Sequence, residues 1–396
     1  MSGGIGVLVV GGAVAAASLV AQLRADGFTG VITVVDQDPD TPYDRPPLSK
    51  EFLRSSDAAP DAPWWNGSCR FIAGSAIGLD VAGSSVAVRH HAGGTQRIEA
   101  EHIVLATGAA PLRVPGIHRD VLHLRTAADA RALRERLKPG VGLTILGAGT
   151  IGTELASSTT DAGAEVTLID LADRPLQRFF GGHLGAEAEA WIREGGVDLL
   201  LDTAVESVER TEAGWAVTTD KSTVEADLVV SAVGTRPCVS WLHGSGLDVA
   251  DGVRCDRDGT VFDTAGELVA HIHAIGDVAA WTDRDGVPRR HEDWTTAQRQ
   301  GRHVARALLG MDSIQPPDRE RDYFWTHQFG RRIQILGTPV ADGKLITQMT
   351  YPEKKASFHT VERYGETVAW ISVNAPREFA LAMRDSMYAT VQKNNM

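Results

Sequence analysis

The chain has 396 residues, of which 43% are hydrophobic and 23% are charged, and its formal net charge is −12. This composition argues against a disordered or fibrous protein, and the excess of acid makes nucleic acid and anionic membranes poor partners. Cys69, Cys238 and Cys255 lie far apart with no CxxC pair, which disfavours a disulfide framework or a cysteine metal site, so we predict no bound metal.

The first predicted element is a strand–helix–strand unit, IGVLVVGGAVAAASLVAQLRADGFTGVITVVDQ, whose second strand closes at Asp36. The N-terminus is apolar but lacks a basic start and is interrupted by glycines, unlike a signal peptide. No window reaches the ~18 apolar residues of a membrane span. We therefore expect a soluble, cytoplasmic protein.

The turn of this unit departs from the ideal GxGxxG dinucleotide motif. It reads Gly11-Gly12-Ala13-Val14-Ala15-Ala16, with alanine at the second and third glycine positions. The methyl group of Ala13 would crowd a pyrophosphate unless the backbone adjusts, at a cost of roughly 1–3 kcal/mol. A nucleotide-free α/β domain is the alternative interpretation of this unit.

The next stretch, PYDRPPLSK at 42–50, contains three prolines, two cations and an acid. Prolines fix φ and remove backbone donors, so the pattern predicts an extended loop that holds Arg45 and Lys50 in place. A rigid connection with solvated charges is the alternative. The following RSSDAAPDAP at 54–63 is predicted to be mobile.

A second strand–turn–helix–strand unit, VGLTILGAGTIGTELASSTTDAGAEVTLIDLADR, begins its turn 136 residues after the first. Its motif is complete, with Gly147, Gly149 and Gly152 followed by Asp170. Such a turn brings backbone N–H groups to a pyrophosphate, and the acid accepts bonds from a ribose diol. Two such units in the required context are strong evidence for two dinucleotide sites.

The acid of the second unit also predicts a preference for NADH over NADPH. Asp170 and Asp173 would repel a 2′-phosphate by ~1 kcal/mol in water and ~4 kcal/mol at an effective dielectric of about 20, which favours NADH roughly tenfold to a thousandfold. Arg174 is an opposing feature, because it is able to pair with the phosphate of NADPH.

Three further apolar runs end in glycine turns: HIVLATGAAP, LVVSAVGTRP and IHAIGDVA. Nearer the C-terminus, FHTVERYGETVAWISVN predicts a hairpin that turns at Gly365, followed by a helix from about Pro376.

With these motifs in place, the sequence closely resembles the FAD-dependent NADH:ferredoxin reductases of bacterial oxygenase systems. The resemblance runs nearly end to end and also includes LRTAADA, HEDWTTAQRQG and YFWTHQFGRRIQILG. It implies an α/β fold of glutathione-reductase type, with two Rossmann-like dinucleotide-binding domains and a C-terminal α+β domain. The implied boundaries are 1–113 and 244–314 for the FAD domain, 114–243 for the NADH domain and 315–396 for the C-terminal domain.

The resemblance also implies site residues. Lys50, Glu154 and Trp325 are the expected catalytic residues, with Lys50 near the isoalloxazine, where it would stabilise reduced flavin. The other expected FAD contacts are Gly11, Gly12, Ala13, Ala15, Ala16, Asp36, Arg45, Pro46, Ala76, Ala106, Thr107, Gly108, Arg125, Gly276, Asp277, Glu292, Trp294 and Ala297. The expected NADH contacts are Gly147, Gly149, Thr150, Ile151, Gly152, Glu154, Asp170, Arg174, Val233 and Gly234.

Alternatives remain for single residues. Glu154 is either a nicotinamide contact or an acid stabilised by the helix dipole. Trp294 and Trp325 are core or interface tryptophans unless the resemblance holds, and Trp64, Trp65, Trp281 and Trp370 keep that interpretation.

The implied activity is transfer of a hydride from NADH, followed by release of single electrons to a small acidic [2Fe–2S] ferredoxin that serves a Rieske dioxygenase or a P450. Six arginines are predicted to form a local basic patch for this partner: Arg289, Arg290, Arg299, Arg302, Arg331 and Arg332. A disulfide reductase is disfavoured because the PYDRPPLSK segment has no cysteine. A rubredoxin reductase and a redox-signalling flavoprotein of the apoptosis-inducing-factor type are the alternatives, and the protein is expected to be a monomer or homodimer.

Overall fold

The computed structural model describes residues 5–40, 42–57, 68–283, 285–311 and 322–393. In these ranges the helices are α1 (Val14–Ala25), α2 (Glu51–Arg54), α3 (Ala127–Arg134), α4 (Thr150–Asp161), α5 (Gly185–Glu194), α6 (Trp294–Leu308) and α7 (Pro376–Lys393). Short 3₁₀ turns cover Pro46–Ser49, Ser240–Leu242, Gly276–Val278 and Pro352–Lys354.

The strands of the first half of the chain are β1 (Ile5–Val10), β2 (Val31–Asp36), β3 (Arg70–Asp80), β4 (Ser85–His90), β5 (Thr95–Leu105), β6 (Ala109–Pro111), β7 (Gly142–Leu146), β8 (Glu165–Ile169) and β9 (Asp198–Leu200). The remaining strands are β10 (Val205–Arg210), β11 (Trp215–Thr219), β12 (Thr223–Ala226), β13 (Leu228–Ser231), β14 (Thr235–Pro237), β15 (Val253–Cys255), β16 (Thr260–Phe262), β17 (Leu268–Ala274), β18 (Ala279–Thr282), β19 (Pro288–Arg290), β20 (Tyr323–Gln328), β21 (Arg331–Gly337), β22 (Lys344–Tyr351), β23 (Ala356–Arg363) and β24 (Glu366–Val373).

The chain divides into two compact units. The first comprises 1–44, 59–110 and 235–320, and the second comprises 45–58, 111–234 and 321–396. The segment that contains Lys50 therefore belongs to the same unit as the second dinucleotide turn. The boundaries of the three predicted domains stay a prediction.

The first unit is built on a sheet whose parallel core has the order β3-β2-β1-β5-β17. Strand β1 is central and buried on both faces, which explains its near-continuous Val and Leu run. Helix α1 packs against α6, and the approach is close because Gly301 has no side chain: a Cβ there would lie 2.3 Å from the carbonyl oxygen of Ala15.

The second unit contains a parallel sheet of order β13-β7-β8-β9, a three-stranded meander β10-β11-β12, and a five-stranded sheet β20-β21-β24-β23-β22. Helix α3 begins with a capping box in which Thr126 and Asp129 satisfy each other's backbone N–H groups. Both predicted strand–turn–helix–strand units are confirmed: β1-α1-β2 lies in the first unit and β7-α4-β8 in the second.

The predicted C-terminal hairpin and helix are also confirmed. Strands β23 and β24 pair antiparallel and are joined at Tyr364 and Gly365, whose φ angles are 53° and 79°. Two consecutive positive φ values are typical of the tight turn that matches the twist of a hairpin. Helix α7 begins at Pro376, where a missing N–H costs nothing.

The prediction of an extended loop at 42–50 is wrong for its second half, whereas 42–45 form neither helix nor strand. Pro46–Ser49 form a 3₁₀ turn that continues into α2. Proline is unfavourable in a helix interior, but its fixed φ suits the first helical position, and Pro46 and Pro47 occupy the first two positions here. The predicted mobile stretch 54–63 lies outside the described residues from 58 onward, as do Trp64 and Trp65.

Candidate functional site

The first dinucleotide turn lies at the carboxyl end of β1. Gly11 adopts φ 109°, and a Cβ there would lie 2.1 Å from the carbonyl oxygen of Ala106, so only glycine fits against the end of β5. The carboxylate of Asp36 accepts a hydrogen bond from the N–H of Gly12 at 2.6 Å. The predicted contacts Gly11, Gly12, Asp36 and Ala106 are therefore brought together in the first unit.

The second turn repeats this construction at the carboxyl end of β7. Gly147 adopts φ 101°, and a Cβ there would lie 2.6 Å from the carbonyl oxygen of Ala232 at the end of β13. The carboxylate of Asp170 accepts from the N–H of Ala148 at 2.5 Å and from that of Ala172 at 2.7 Å. Both turns thus bind the acid of the following strand through a backbone N–H group.

Each turn leads directly into a helix that is suited to an anion. The N-cap residues are Ala13 for α1 and Gly149 for α4, and neither provides a side-chain cap. Uncapped N–H groups at a helix start, with the helix dipole behind them, form a phosphate site. A Cβ at Gly149 would meet no described atom within 4 Å, so the space beside this turn position is open.

The third glycine position differs between the turns. A Cβ at Gly152 would lie 1.8 Å from the carbonyl oxygen of Gly147, so glycine is required there. The first turn has Ala16 at the same place, and Ala16 is fully buried. The chain of the first turn therefore accommodates the methyl group that the second turn excludes.

Exposed apolar side chains surround the second turn. Ile151 and Val233, both predicted NADH contacts, are 45% and 37% exposed, and Leu171, which follows Asp170, is 73% exposed. Large apolar side chains that are exposed beside a polar backbone turn are typical of a ligand surface. Leu171 was not among the predicted contacts, although its place directly after the ribose acid is a usable signal.

Other predicted FAD contacts gather around the first turn. A Cβ at Gly276 would lie 3.2 Å from that of Ala15 and 3.9 Å from that of Ala297. The indole N–H of Trp294 donates to Asp44 Oδ1 at 2.7 Å. Asp44, the acid of PYDRPPLSK, was not among the predicted contacts.

Several other predicted contacts occupy separate places in the two units. Thr107 donates to the carbonyl oxygen of Cys238 at 3.0 Å, and Ala76 lies in β3 opposite Val88. Glu292 is exposed and accepts from Arg290 at 2.7 Å. In the second unit, the backbone N–H of Arg125 donates to Asp129.

The second unit holds a buried ion pair between two predicted catalytic residues. Lys50 Nζ lies 2.6 Å from Glu154 Oε2, and the two side chains are 9% and 3% exposed. Lys50 also donates to the carbonyl oxygen of Pro46 at 3.0 Å, and the hydroxyl of Ser49 donates to the same Glu154 oxygen at 2.5 Å. Glu154 is therefore a buried hydrogen-bond acceptor. It is not an exposed acid that interacts only with the helix dipole.

One face of α4 carries this polar network. Glu154, Ser157 and Ser158 are all buried and share that face because they are three and four residues apart. Ser158 donates to the carbonyl oxygen of Ser49 at 2.7 Å, and Ser157 accepts from the N–H of Phe329 at 2.7 Å. The helix that follows the second turn is thereby bound both to the segment with Lys50 and to Phe329, the residue directly after strand β20.

Strand β20 contributes Thr326 to this network. Its hydroxyl donates to Glu154 Oε1 at 2.6 Å, and Thr326 is fully buried. Neighbouring Trp325 is half-buried and stacks on Tyr323, with ring centroids 5.8 Å apart and planes 15° apart. Ser49 and Thr326 were both missed. The polar residues at 154, 157 and 158, spaced to share one face of α4, were the available signal for such partners.

His327 follows Thr326 and is exposed. Partial burial and the positive charges of Arg332 and Lys50 lower the pKa of His327, while Glu51 and Glu154 oppose that shift. The imidazole is therefore neutral near pH 7.

The arginines predicted to form a basic patch are largely paired with acids. Arg289 forms ion pairs with Asp283 and Asp285, and Arg290 with Asp251 and Glu292. Arg331 lies 3.4 Å from Glu194, whereas Arg302 and Arg332 are exposed. The positive charge of the predicted patch is therefore reduced, because local carboxylates pair with at least three of the six arginines. Arg174, considered as a phosphate partner for NADPH, is bound to Glu189 at 3.1 Å.

All three cysteines of the sequence are free thiols. Cys255 is fully buried, and burial raises the pKa of its thiol well above the usual value. None of the predicted site residues is a cysteine. Across the described ranges no group of three or more His, Cys, Asp or Glu side chains is placed to hold a metal ion, and no helix has the length and apolar character of a membrane span.

Comparisons with known proteins agree with this construction. Residues 6–301 match the model of the family described as pyridine nucleotide-disulphide oxidoreductase, and 323–391 match the family described as reductase C-terminal. Among curated proteins, the ferredoxin–NAD(+) reductase subunit of the benzene 1,2-dioxygenase system of Pseudomonas putida is 33% identical over 96% of this chain and 91% of its own length.

A second relative and two solved structures extend the comparison. The ferredoxin–NAD(+) reductase component of the biphenyl dioxygenase system of Paraburkholderia xenovorans is 28% identical over 96% of this chain and 92% of its own length. The ferredoxin reductase for the CYP199A2 system of Rhodopseudomonas palustris is 27% identical, with a TM-score of 0.83, over 93% of this chain and 91% of that one. The putidaredoxin reductase in its covalent complex with putidaredoxin, at 24% identity, has the same fold, with a TM-score of 0.84 over 97% and 93% of the two chains.

Proposed function

Because this chain belongs to the pyridine nucleotide-disulphide oxidoreductase family, we propose that it is an FAD-dependent ferredoxin–NAD(+) reductase of an oxygenase system. The observation that carries the proposal is the repeated turn. Two uncapped helix starts each lie beside a glycine of positive φ and an acid bonded to the turn backbone, which provides for two dinucleotides.

The residues of the first turn fit the adenosine diphosphate part of FAD. We assign the pyrophosphate to the backbone of Gly11, Gly12 and Ala13, and the ribose to Asp36. When bound, FAD supplies the redox chemistry, in which it takes up a hydride and gives up electrons one at a time. We assign Lys50 and Trp325 to the flavin, for which a buried ammonium group provides favourable charge when the ring is reduced.

The second turn is assigned to NADH. Gly147 and Gly149 leave room for its pyrophosphate, and Asp170 retains acceptor capacity for ribose hydroxyls because each of its oxygens accepts only one backbone N–H bond. Arg174 is held by Glu189, so it is less available to a 2′-phosphate. This pairing supports NADH as the physiological electron donor.

The electron acceptor is assigned to the class of small [2Fe–2S] ferredoxins. The support is the word ferredoxin in the names of the curated relatives, together with the exposed guanidinium groups of Arg302 and Arg332. An acidic partner would be attracted to such groups, and its association would weaken with salt. The free thiols fit a reducing compartment, so we assign the protein to the cytoplasm.

The test begins with the visible spectrum of the purified protein. We expect the absorption bands near 370 and 450 nm that are typical of oxidised flavin. NADH added under argon is expected to bleach the longer-wavelength band. Cytochrome c reduction by NADH is then measured with no carrier, with a [2Fe–2S] ferredoxin and with a rubredoxin. Stimulation by the ferredoxin alone supports the proposal, stimulation by rubredoxin alone reassigns the partner, and a colourless protein that takes up no flavin overturns the function.

A further inference from the structure

The carboxylate of Glu154 is held by three hydrogen-bond donors from two segments. Ser49 and Lys50 donate to Oε2 at 2.5 and 2.6 Å, while Thr326 is the one described residue that donates to Oε1, at 2.6 Å. Glu154 is 3% exposed, Ser49 is 2% exposed and Thr326 is fully buried, so solvent does not supply a replacement donor. The orientation of this carboxylate is therefore determined by protein groups.

The described donors leave one lone-pair site of the Glu154 carboxylate open. An ionised carboxylate has about four lone-pair sites, and the three donors occupy two on Oε2 and one on Oε1. The fourth site is on Oε1, the oxygen that Thr326 fixes. The charge of Glu154 is balanced by Lys50, so this site favours a neutral hydrogen-bond donor over a cation.

The hydroxyl of Thr326 is itself directed by its surroundings. Gln328 Nε2 donates to Thr326 Oγ1 at 3.3 Å, so the acceptor side of the hydroxyl is used and its proton is available for Glu154. Thr326 lies in β20, opposite Ile333 of β21, and its branched side chain has restricted χ1 freedom. The strand thus holds the hydroxyl rigidly against α4.

We propose that Thr326 is a positioning residue for NADH: it directs the free lone pair of Glu154 Oε1 toward a donor at the nicotinamide end, the carboxamide N–H group. The proposal rests on the proposed function and on the assignment of Glu154 to the nicotinamide, which the family resemblance implies. Thr326 need not touch NADH, because it acts through the carboxylate that it orients.

The experiment compares two ligands that differ only at the nicotinamide. NAD⁺ and ADP-ribose share the adenosine, the pyrophosphate and the second ribose, but ADP-ribose has no carboxamide. Dissociation constants of both are measured by calorimetry on flavin-loaded wild type, Thr326→Val and Thr326→Ser, together with KM and kcat for NADH with ferricyanide. Thr159→Val is the matched control, because Thr159 is a fully buried threonine of α4 whose hydroxyl bonds only to its own helix.

Loss of a hydrogen bond to a charged group predicts that Thr326→Val weakens NAD⁺ binding about tenfold or more. ADP-ribose affinity stays within about twofold of wild type on the same reasoning, since its contacts do not include Glu154. Thr326→Ser restores NAD⁺ affinity to within about threefold, since it keeps the donor. Thr159→Val leaves both ligands unchanged. In a Glu154→Gln background, Thr326→Val has no further effect on the ratio of the two constants, as expected for residues that act as a unit.

An unchanged NAD⁺ constant in folded Thr326→Val overturns the inference, and so does an equal loss of both ligands, which would indicate a structural role only. If Thr326→Val does not fold, Thr326→Cys takes its place. The ratio of the NAD⁺ and ADP-ribose dissociation constants then tests the inference in the same way. Failure of the proposed function is distinct: wild type itself would then bind neither ligand and would not oxidise NADH.

Discussion

The helices that follow the two turns bury different kinds of face. Helix α1 presents small side chains to α6, where Ala15 lies against Gly301. Helix α4 presents Glu154, Ser157 and Ser158, each hydrogen-bonded to another segment of the second unit. The turns are alike because each joins a glycine of positive φ to an uncapped helix start and a bonded acid. The helix faces differ because α4, unlike α1, holds a buried carboxylate.

The largest expected effect comes from breaking the buried ion pair. Lys50→Met leaves the Glu154 carboxylate buried without its cation, which lowers the free energy of unfolding by about 3–5 kcal/mol. In α1 the position that corresponds to Glu154 is the half-buried Ser18. Ser18→Ala is expected to change the free energy of unfolding by less than ~1 kcal/mol. Urea denaturation of the flavin-free proteins measures both.

Removing both charges serves as the control for this comparison. Lys50→Met combined with Glu154→Gln should recover most of the loss, because no uncompensated charge remains. Equal stabilities of Lys50→Met and Ser18→Ala would contradict the assigned importance of the pair.

The first unit buries a histidine that has no hydrogen-bond partner among the described residues, and this predicts acid sensitivity. His273 is 6% exposed, and neither of its ring nitrogens has a hydrogen-bond partner in the described part of the chain. Burial, assisted by nearby His102 and His271 and opposed by Asp258, lowers the pKa of His273 from 6.5 to about 4. Between these pH values the unfolded chain binds the extra proton, so stability is complete above pH ~6.5 and falls toward pH ~4, by up to about 3 kcal/mol.

His273→Phe should flatten this part of the stability–pH curve, and exposed His91→Gln should leave it unchanged. Unfolding free energies at pH 7.5, 5.5 and 4.5 provide the measurement. A curve for His273→Phe that is parallel to wild type would assign the acid sensitivity to other groups.

A smaller effect distinguishes the third glycine positions. Gly152→Ala places a methyl against the carbonyl oxygen of Gly147 and is expected to lower stability by about 1–3 kcal/mol and to weaken NAD⁺ binding. Ala16→Gly costs the first unit about 0.5–1 kcal/mol through backbone entropy alone and leaves flavin content unchanged. Thermal unfolding and ligand titration of the two variants test whether the turns differ as described; matching losses would show that they do not.

The smallest expected effect concerns the choice of nicotinamide cofactor. Asp170→Ala removes the acceptor for ribose hydroxyls and the charge that repels a 2′-phosphate, so the NADH/NADPH ratio of kcat/KM should narrow roughly tenfold. Asp36→Ala at the first turn should weaken flavin retention without altering that ratio. An unaltered ratio in Asp170→Ala would rule out the electrostatic argument.

The sequence was sufficient for features that depend on local patterns. Gly11 and Gly147 could be identified from spacing, because positive φ and close backbone approach restrict those positions to glycine. The hairpin at Gly365 and the start of α7 at Pro376 followed from turn chemistry in the same way.

The sequence was insufficient where distant segments meet. Ser49 and Thr326 gave no signal of their own, since a hydroxyl becomes a ligand of Glu154 only after the second unit has folded. The three prolines of PYDRPPLSK were compatible with both an extended loop and a short helix, and packing decided for the helix. The charge of Arg289 and Arg290 was visible in sequence, but the carboxylates that neutralise it were not assigned to them.

The network around Glu154 also constrains the order of assembly during synthesis. Lys50 and Glu154 are separated by 104 residues, and Glu154 and Thr326 by 172, so Thr326 leaves the ribosome long after both halves of the ion pair. Contacts with such long loops form late and slowly. Nascent chains that already contain both glycine turns would therefore lack the complete set of donors to Glu154, which is in place only once strand β20 has packed against α4.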